Sequence, residues 1–235
     1  MLFVFNIGNT HAQYTTIDNK KCGDIKCCDT SDFNAKLIPS GIPVAGASVV
    51  PAVTLKLSGQ DIFWINSSIK SNIDFSMTDH PAVGADRVAN VIRLGEITSR
   101  AAVCFDFGTA ITMEVVDAKR RFRGGAIMPG RTLLRRSLND YTAQLPLIDL
   151  FQSLPDNLGV NTVDAMRLGI DGGVIGSVRW LIKRAKENLP DQEIDFFGIG
   201  GDTDFFTWFI PELKSGGTDF TLQGIRRAWE INNES

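Results

Sequence analysis

Apolar residues recur along this chain in short blocks of alternating period. Residues 2–6 run apolar until Asn6, residues 11–18 form a second β-rich run, and residues 43–50 form a third. Gly, Asn or Pro bounds these blocks, a pattern that predicts three strands. Pro51 stands where a helix can begin, so a helix to about residue 57 is expected, followed by a strand over 61–66. Interleaved strands and helices favour an α/β fold.

The alternation continues through the second half. The spacing predicts a helix over 85–97, starting from the segment at His80, then strands over 102–105 and 111–117 on either side of Gly108-Thr109. "FRGGAIMPG", residues 122–130, reads as a strand between tight turns, with a helix from Arg131. Val163, Met166, Ile170, Val174, Val178 and Ile182 recur at steps of three or four behind a capping pair, Asn161-Thr162. They predict one long helix ending near Leu189-Pro190. A strand over 193–199, a helix starting at Asp202-Thr203 and a last helix over 222–231 complete the series. Met166 and its stripe read as core, and Lys119-Arg120-Arg121 with Arg123 as a solvated hairpin.

With 235 residues the chain can build one large core or two half-size ones. Its 24 basic and 27 acidic residues leave a net charge of −3, which gives no footprint for wrapping nucleic acid or an anionic membrane. A small-molecule partner is the easier expectation. The apolar start lacks a basic region and meets a Gly-Asn turn too soon for a signal peptide, and no later run is long enough to span a membrane, so a cytoplasmic protein is expected. Cys22, Cys27, Cys28 and Cys104 are too few and too clustered for a disulfide framework, and the first three lack a fourth zinc ligand at a usual spacing. They read as half-buried thiols in a short strand pair. Two histidines, His11 and His80, exclude a multi-histidine metal site and argue against a Ser-His-Asp triad.

The informative feature is a turn made twice. "VFNIGNT", residues 4–10, is answered by "CFDFGTA", residues 104–110. In each, a strand delivers a polar residue, then a hydrophobic one, then Gly8 or Gly108, then small hydroxyl or amide residues. Glycine allows a tight turn and lets phosphate oxygens approach the backbone N–H groups. One copy is commonest as plain structure. Two copies at matching places imply two related lobes, residues 1–100 and 101–235, whose hairpins face each other across a cleft and grip one polyphosphate.

"NIGNT", "GADR" at 84–87, "DFGTA" at 106–110, "GGAIMPG" at 124–130, "TAQLP" at 142–146 and "NT" at 161–162 occur in the order seen in type III pantothenate kinases. As an ordered set they identify a resemblance to that family covering essentially the whole chain. It implies a duplicated ribonuclease-H-like fold of the actin and sugar-kinase type, a homodimer, ATP in the cleft and pantothenate as phosphoryl acceptor. It also implies Mg2+ and a monovalent cation, K+ or NH4+. By residue, the resemblance gives Asn6, Ile7, Gly8, Asn9, Thr10, His11, Ala12 and Gln13 to the first nucleotide turn and Thr109 to a second ATP contact. It makes Asp106 the monovalent-cation ligand, Gly84, Ala85, Asp86, Arg87 and Thr162 the pantothenate contacts, and Asp86 the proton acceptor. Phosphoryl transfer to a hydroxyl needs chiefly positioning, charge neutralisation and one carboxylate to accept a proton.

The chain departs from the family at three places. Asn6 stands where the family has Asp, and an amide is a poorer magnesium ligand than a carboxylate. Asp18, Glu114 and Asp117 are the nearby acids available to replace it. The segment before Gly84 has Phe75, Met77 and Thr78 where a tyrosine is usual, and is one residue shorter between Pro81 and Gly84. Ile199-Gly200-Gly201 replaces Thr-Gly-Gly. Two other readings follow: a disarmed nucleotide or pantothenate sensor, and a kinase for another hydroxyl acceptor.

Overall fold

The computed structural model describes residues 1–78 and 83–233. The first part of the chain supplies β1 (Leu2–Ile7), β2 (His11–Asp18), β3 (Lys21–Cys22), β4 (Lys26–Asp29), β5 (Val44–Ser48), α1 (Pro51–Lys56) and β6 (Phe63–Trp64). They form a sheet of order β3-β2-β1-β5-β6, with β4 also pairing β2. After α2 (Ala85–Ile97) come β7 (Ala101–Phe107), β8 (Ala110–Val116), β9 (Phe122–Pro129), α3 (Arg131–Tyr141), α4 (Thr162–Arg167) and α5 (Gly173–Asn188). The chain closes with β10 (Ile194–Ile199), α6 (Thr203–Phe209), β11 (Leu213–Ser215) and α7 (Phe220–Asn233). The second sheet has the order β11-β10-β7-β8-β9.

The sheets repeat one topology. β1 pairs β2 antiparallel and β5 in parallel, as β7 pairs β8 antiparallel and β10 in parallel. The two glycine turns therefore occupy matching positions, each after the central strand of its sheet. This is the α/β duplication expected from the repeated sequence.

Between the sheets lies a helical layer made by α2 and α7. Val88, Val91, Ile92, Leu222 and Ile225 are fully buried there with Val4 and Cys104 from the central strands, and each large aliphatic side chain so buried contributes about 1.5–3 kcal/mol. The helices approach closely at Gly224, where a Cβ would stand 2.0 Å from the carbonyl oxygen of Ala89. Because α2 also opens onto the cleft, this packing fixes the direction from which its first turn enters. The outer faces have their own cores: Phe5, Phe33 and Leu57 on the first sheet, and Phe107 stacked on Phe206 at 3.9 Å between ring centroids on the second.

The structure corrects several sequence expectations. The single long helix is two, α4 and α5, joined by a widened π-type turn over Leu168–Gly172. Gly169, Gly172 and Gly173 weaken the regular ladder there, and Asp171 turns inward between Arg131 and Arg135. The strand over 61–66 shrinks to Phe63–Trp64, and the last helix begins at Phe220. The basic hairpin is not simply solvated: Arg121 and Arg123 both pair with buried Asp117. Cys22 and Cys27-Cys28 lie on β3 and β4, which each pair with β2 rather than with one another. Cys27 is exposed, while Cys22 and Cys28 are half-buried. His80 and Pro81 lie outside the described residues.

Candidate active site

Each hairpin is closed by its register. Asn6 faces Gln13 and Ile7 faces Ala12 in the first; Asp106 faces Thr112 and Phe107 faces Ile111 in the second. Gly8 N–H donates to the His11 carbonyl at 3.0 Å and Gly108 N–H to the Ala110 carbonyl at 3.2 Å, closing a loop of four residues in the first hairpin and of three in the second. Their tips meet. The hydroxyls of Thr10 and Thr109 are 2.9 Å apart.

The cleft beneath these tips has a volume of about 660 Å³. From the first turn it is lined by Asn6, Gly8, Asn9, Thr10, His11 and Gln13, whereas Ile7 and Ala12 are fully buried in the core beneath. Asp106, Gly108 and Thr109 line it from the second turn, and Gly84, Asp86 and Arg87 from the start of α2. Ala85 packs instead against the central core. Thr162 is not among the lining residues: it stands on α4 at a separate apolar hollow with Leu134, Leu138 and Met166.

Two glycines make the second wall possible. Gly200 has φ +89° and a Cβ there would stand 2.5 Å from Asp106 Oδ1, while at Gly130 it would stand 2.2 Å from the Gly108 carbonyl. Gly201, Thr203 and Asp204 continue this wall, and Ser215, Gly217 and Thr218 form a further edge. Sequence reasoning missed that edge. Its signal was a third strand-glycine-hydroxyl pattern, Ser215-Gly216-Gly217-Thr218, running off the end of β11.

Asp86 and Asp106 line the cleft, and a third carboxyl, Glu114, is fully buried behind Arg87. Burial pushes Asp86 above the usual carboxylate range, although its Oδ1 accepts the Arg87 N–H at 2.8 Å and the Arg87 charge pulls the other way. Burial, helped by the charge of Asp86, pushes Asp106 up to about 7. Burial also pushes Glu114 up to about 7 against the pull of Arg87, whose Nε donates to Glu114 Oε1 at 2.7 Å. Asn6 Oδ1 is buried and has no hydrogen-bond partner. Of the acids available to replace it, Asp18 sits at the other end of β2 beside the N-terminal amine at 3.4 Å, and Asp117 is held by Arg121 and Arg123. Glu114 gives one of its two oxygens to Arg87.

Such a site can hold an anion on two glycine turns, a cation on hard oxygen donors, and a hydroxyl beside a proton-accepting carboxylate. The family model described as type III pantothenate kinase matches residues 2–184. The chain belongs to the type III pantothenate kinase family. It is 32% identical over 205 residues to the type III pantothenate kinase of Endomicrobium trichonymphae, covering 84% of this chain and 77% of that one. It is 38% identical over 160 residues to the type III pantothenate kinase of Kosmotoga olearia, covering 67% of this chain and 58% of the relative.

Solved structures agree on the fold of this type III pantothenate kinase family member. A Campylobacter jejuni protein assigned to the Baf family of transcriptional activators superposes with a TM-score of 0.70 at 19% identity, over 99% of this chain and 100% of that one. A candidate N-acetylmannosamine kinase of Listeria monocytogenes gives 0.57 at 13% identity over 99% of each chain. The architecture is that of the actin and sugar-kinase type, as the family resemblance implied.

Proposed function

We propose that this chain transfers the terminal phosphoryl group of ATP to the primary hydroxyl of pantothenate, the first step of coenzyme A synthesis. The observation that carries this reading is the meeting of three elements at one cleft: two glycine turns with Thr10 and Thr109 at 2.9 Å, and the α2 terminus bearing Asp86 and Arg87. Polar groups of the cleft-lining residues of the first turn, Asn9 and Thr10 at its tip with Asn6 and Gln13 below, and the hydroxyl of Thr109 hold the phosphates. Asp86 accepts the proton of the attacking hydroxyl, and its raised pKa suits a group that must take one. Arg87, Gly84 and Asp86 hold the acceptor.

The donor set fits hard cations. Asp106 offers a carboxylate at the cleft wall, and Asn6 Oδ1 is a buried oxygen with unspent acceptor capacity. Asp106 would hold K+ or NH4+, and Mg2+ would rest on the phosphates with Asn6 nearby. Such ions supply charge neutralisation for the phosphates.

The chain acts as a homodimer in this reading. Around α3 and α4, Leu133, Leu147, Leu158, Val160 and Val163 expose apolar surface, and Thr162 lies within that face. A second copy seated there would cover this apolar face together with Thr162. The two-sheet topology supports lobes divided near residue 100, with α7 returning to pack on the first. No helix among the described residues is long and apolar enough to cross a membrane, which agrees with a cytoplasmic enzyme.

The test is ADP release with ATP, Mg2+ and K+, with and without pantothenate, beside ATP binding by calorimetry. Acceptor-dependent ADP is the expected result. Asn6 favours a second reading, a nucleotide-binding regulator, for which ATP binding without acceptor-dependent ADP is the signature.

A further inference from the structure

Glu114 has no part in the scheme above, yet it is fully buried at the centre of the second sheet, opposite Cys104 on β7 and Gly125 on β9. Its Oε1 takes the Nε edge of Arg87, and the Met113 carbonyl accepts from Nη2 at 3.4 Å. Gly125 makes room for this. A Cβ there would stand 1.6 Å from the Met113 carbonyl oxygen and 3.1 Å from Arg87 Nη2. Arg87 Nη1 has no hydrogen-bond partner among the described residues, and Arg87 lines the cleft.

A second buried ion cluster in the same molecule shows what a finished structural pair looks like. Asp171 is fully buried, and both its oxygens are used: Oδ1 by Arg131 Nε and Arg135 Nη2, Oδ2 by Arg135 Nη2. Glu114 is different. Its second oxygen lies within reach of the hydroxyl of Thr112, a cleft-lining residue two positions away on the same strand, rather than of a second arginine. Buried charges that serve stability alone are ordinarily saturated. Here a single arginine has one edge held on the sheet while the residue lines a ligand cleft.

We propose that Glu114 is a positioning residue for acceptor recognition: it clamps the Nε edge of Arg87, through Gly125, so that the remaining Nη1 donor meets an anionic group of the acceptor. A guanidinium is a rigid planar fork, so fixing one edge fixes the direction of the other. Resting on the function proposed above, that anionic group is the carboxylate of pantothenate. Glu114 thereby selects acceptors bearing a carboxylate at the end opposite the phosphorylated hydroxyl.

The experiment compares wild type, Glu114→Gln and Glu114→Asp, each confirmed folded by its thermal transition. Pantothenate and its alcohol analogue, with the carboxylate replaced by a hydroxymethyl group, are measured as ligands by calorimetry and as acceptors by steady-state kinetics. Loss of a charge-assisted hydrogen bond predicts that Glu114→Gln raises the KM and Kd for pantothenate about tenfold, with the KM for ATP unchanged. The preference for pantothenate over the alcohol falls by the same factor. Glu114→Asp keeps the charge and retains part of that preference, which a merely structural role would not restore. Unchanged pantothenate preference in folded Glu114→Gln overturns the inference and leaves the kinase reading standing. If Glu114→Gln does not fold, an Asp variant whose preference matches wild type, or loses ATP and pantothenate affinity alike, overturns it. A wild type that binds pantothenate without phosphorylating it removes the kinase reading while the binding arm still decides Glu114. A wild type that does neither removes both.

Discussion

Thr10 and Thr109 are separated by ninety-nine residues of sequence, and their hydroxyl oxygens are 2.9 Å apart. Each stands at the tip of a glycine hairpin at the same position of a repeated sheet, so the contact marks where the two halves of the duplication close over the cleft. Removing either hydroxyl removes the same contact. We expect Thr10→Ala and Thr109→Ala each to raise the KM for ATP by roughly three- to tenfold, and the double variant to fall short of the product. A double-mutant cycle on the KM for ATP measures this; strict multiplicativity would separate the two tips functionally.

Asn6 places an uncharged oxygen at the position where the repeated turn has the carboxylate of Asp106, and that oxygen is buried without a partner. Asn6→Asp should raise turnover at saturating Mg2+, because a carboxylate is the better magnesium ligand. It also adds a third acid near Asp86 and Asp106, so the ligand-free variant should be less stable than wild type at neutral pH and regain stability with Mg2+ and ATP. ADP release and thermal shift with and without Mg2+ check both halves.

Stability without ligands should fall as the solution is made less acid. Asp106 and Glu114 are pushed from 3.8 and 4.5 up to about 7 by burial. A carboxyl whose pKa is higher in the folded chain than in the unfolded one binds its proton more tightly when folded. Its contribution is therefore complete below the unfolded value and is lost as pH rises through the folded value. Urea unfolding should show stability declining between about pH 4.5 and about pH 7, with the slope flattened in Asp106→Asn/Glu114→Gln. The salt-bridged Asp117 and Asp195, held low by Arg121 and Lys214, act in the opposite sense at more acid pH.

Asp171 holds two fully buried arginines, and Arg131 continues to Asp202, the residue that follows the Gly200-Gly201 wall of the cleft. Asp171→Ala leaves Arg131 and Arg135 with an uncompensated buried charge and should cost about 3–5 kcal/mol. Urea denaturation checks the magnitude. A loss below about 1 kcal/mol, the scale of an exposed pair, would mean that water reaches the cluster.

By itself the sequence determined the elements and the repeat. The period of apolar positions located β1, β2, α2, β7 and β8 to within a few residues, because a strand or helix face is a local property of consecutive side chains. The doubled glycine turn announced two matching lobes, and the ordered motifs from Asn6 to Thr162 announced the family. It did not reveal the break between α4 and α5, because the apolar stripe stays in phase while Asp171 is drawn inward by arginines on α3. Nor did it reveal the partners of the charges: Arg121 and Arg123 read as a solvated run until Asp117 was seen buried beside them. Only the tertiary structure decided that Thr10 meets Thr109, that Arg87 rests on Glu114, and that Thr162 stands apart from the cleft. Those relationships depend on how two sheets pack across α2 and α7, and packing between distant segments leaves no period in the chain that encodes it.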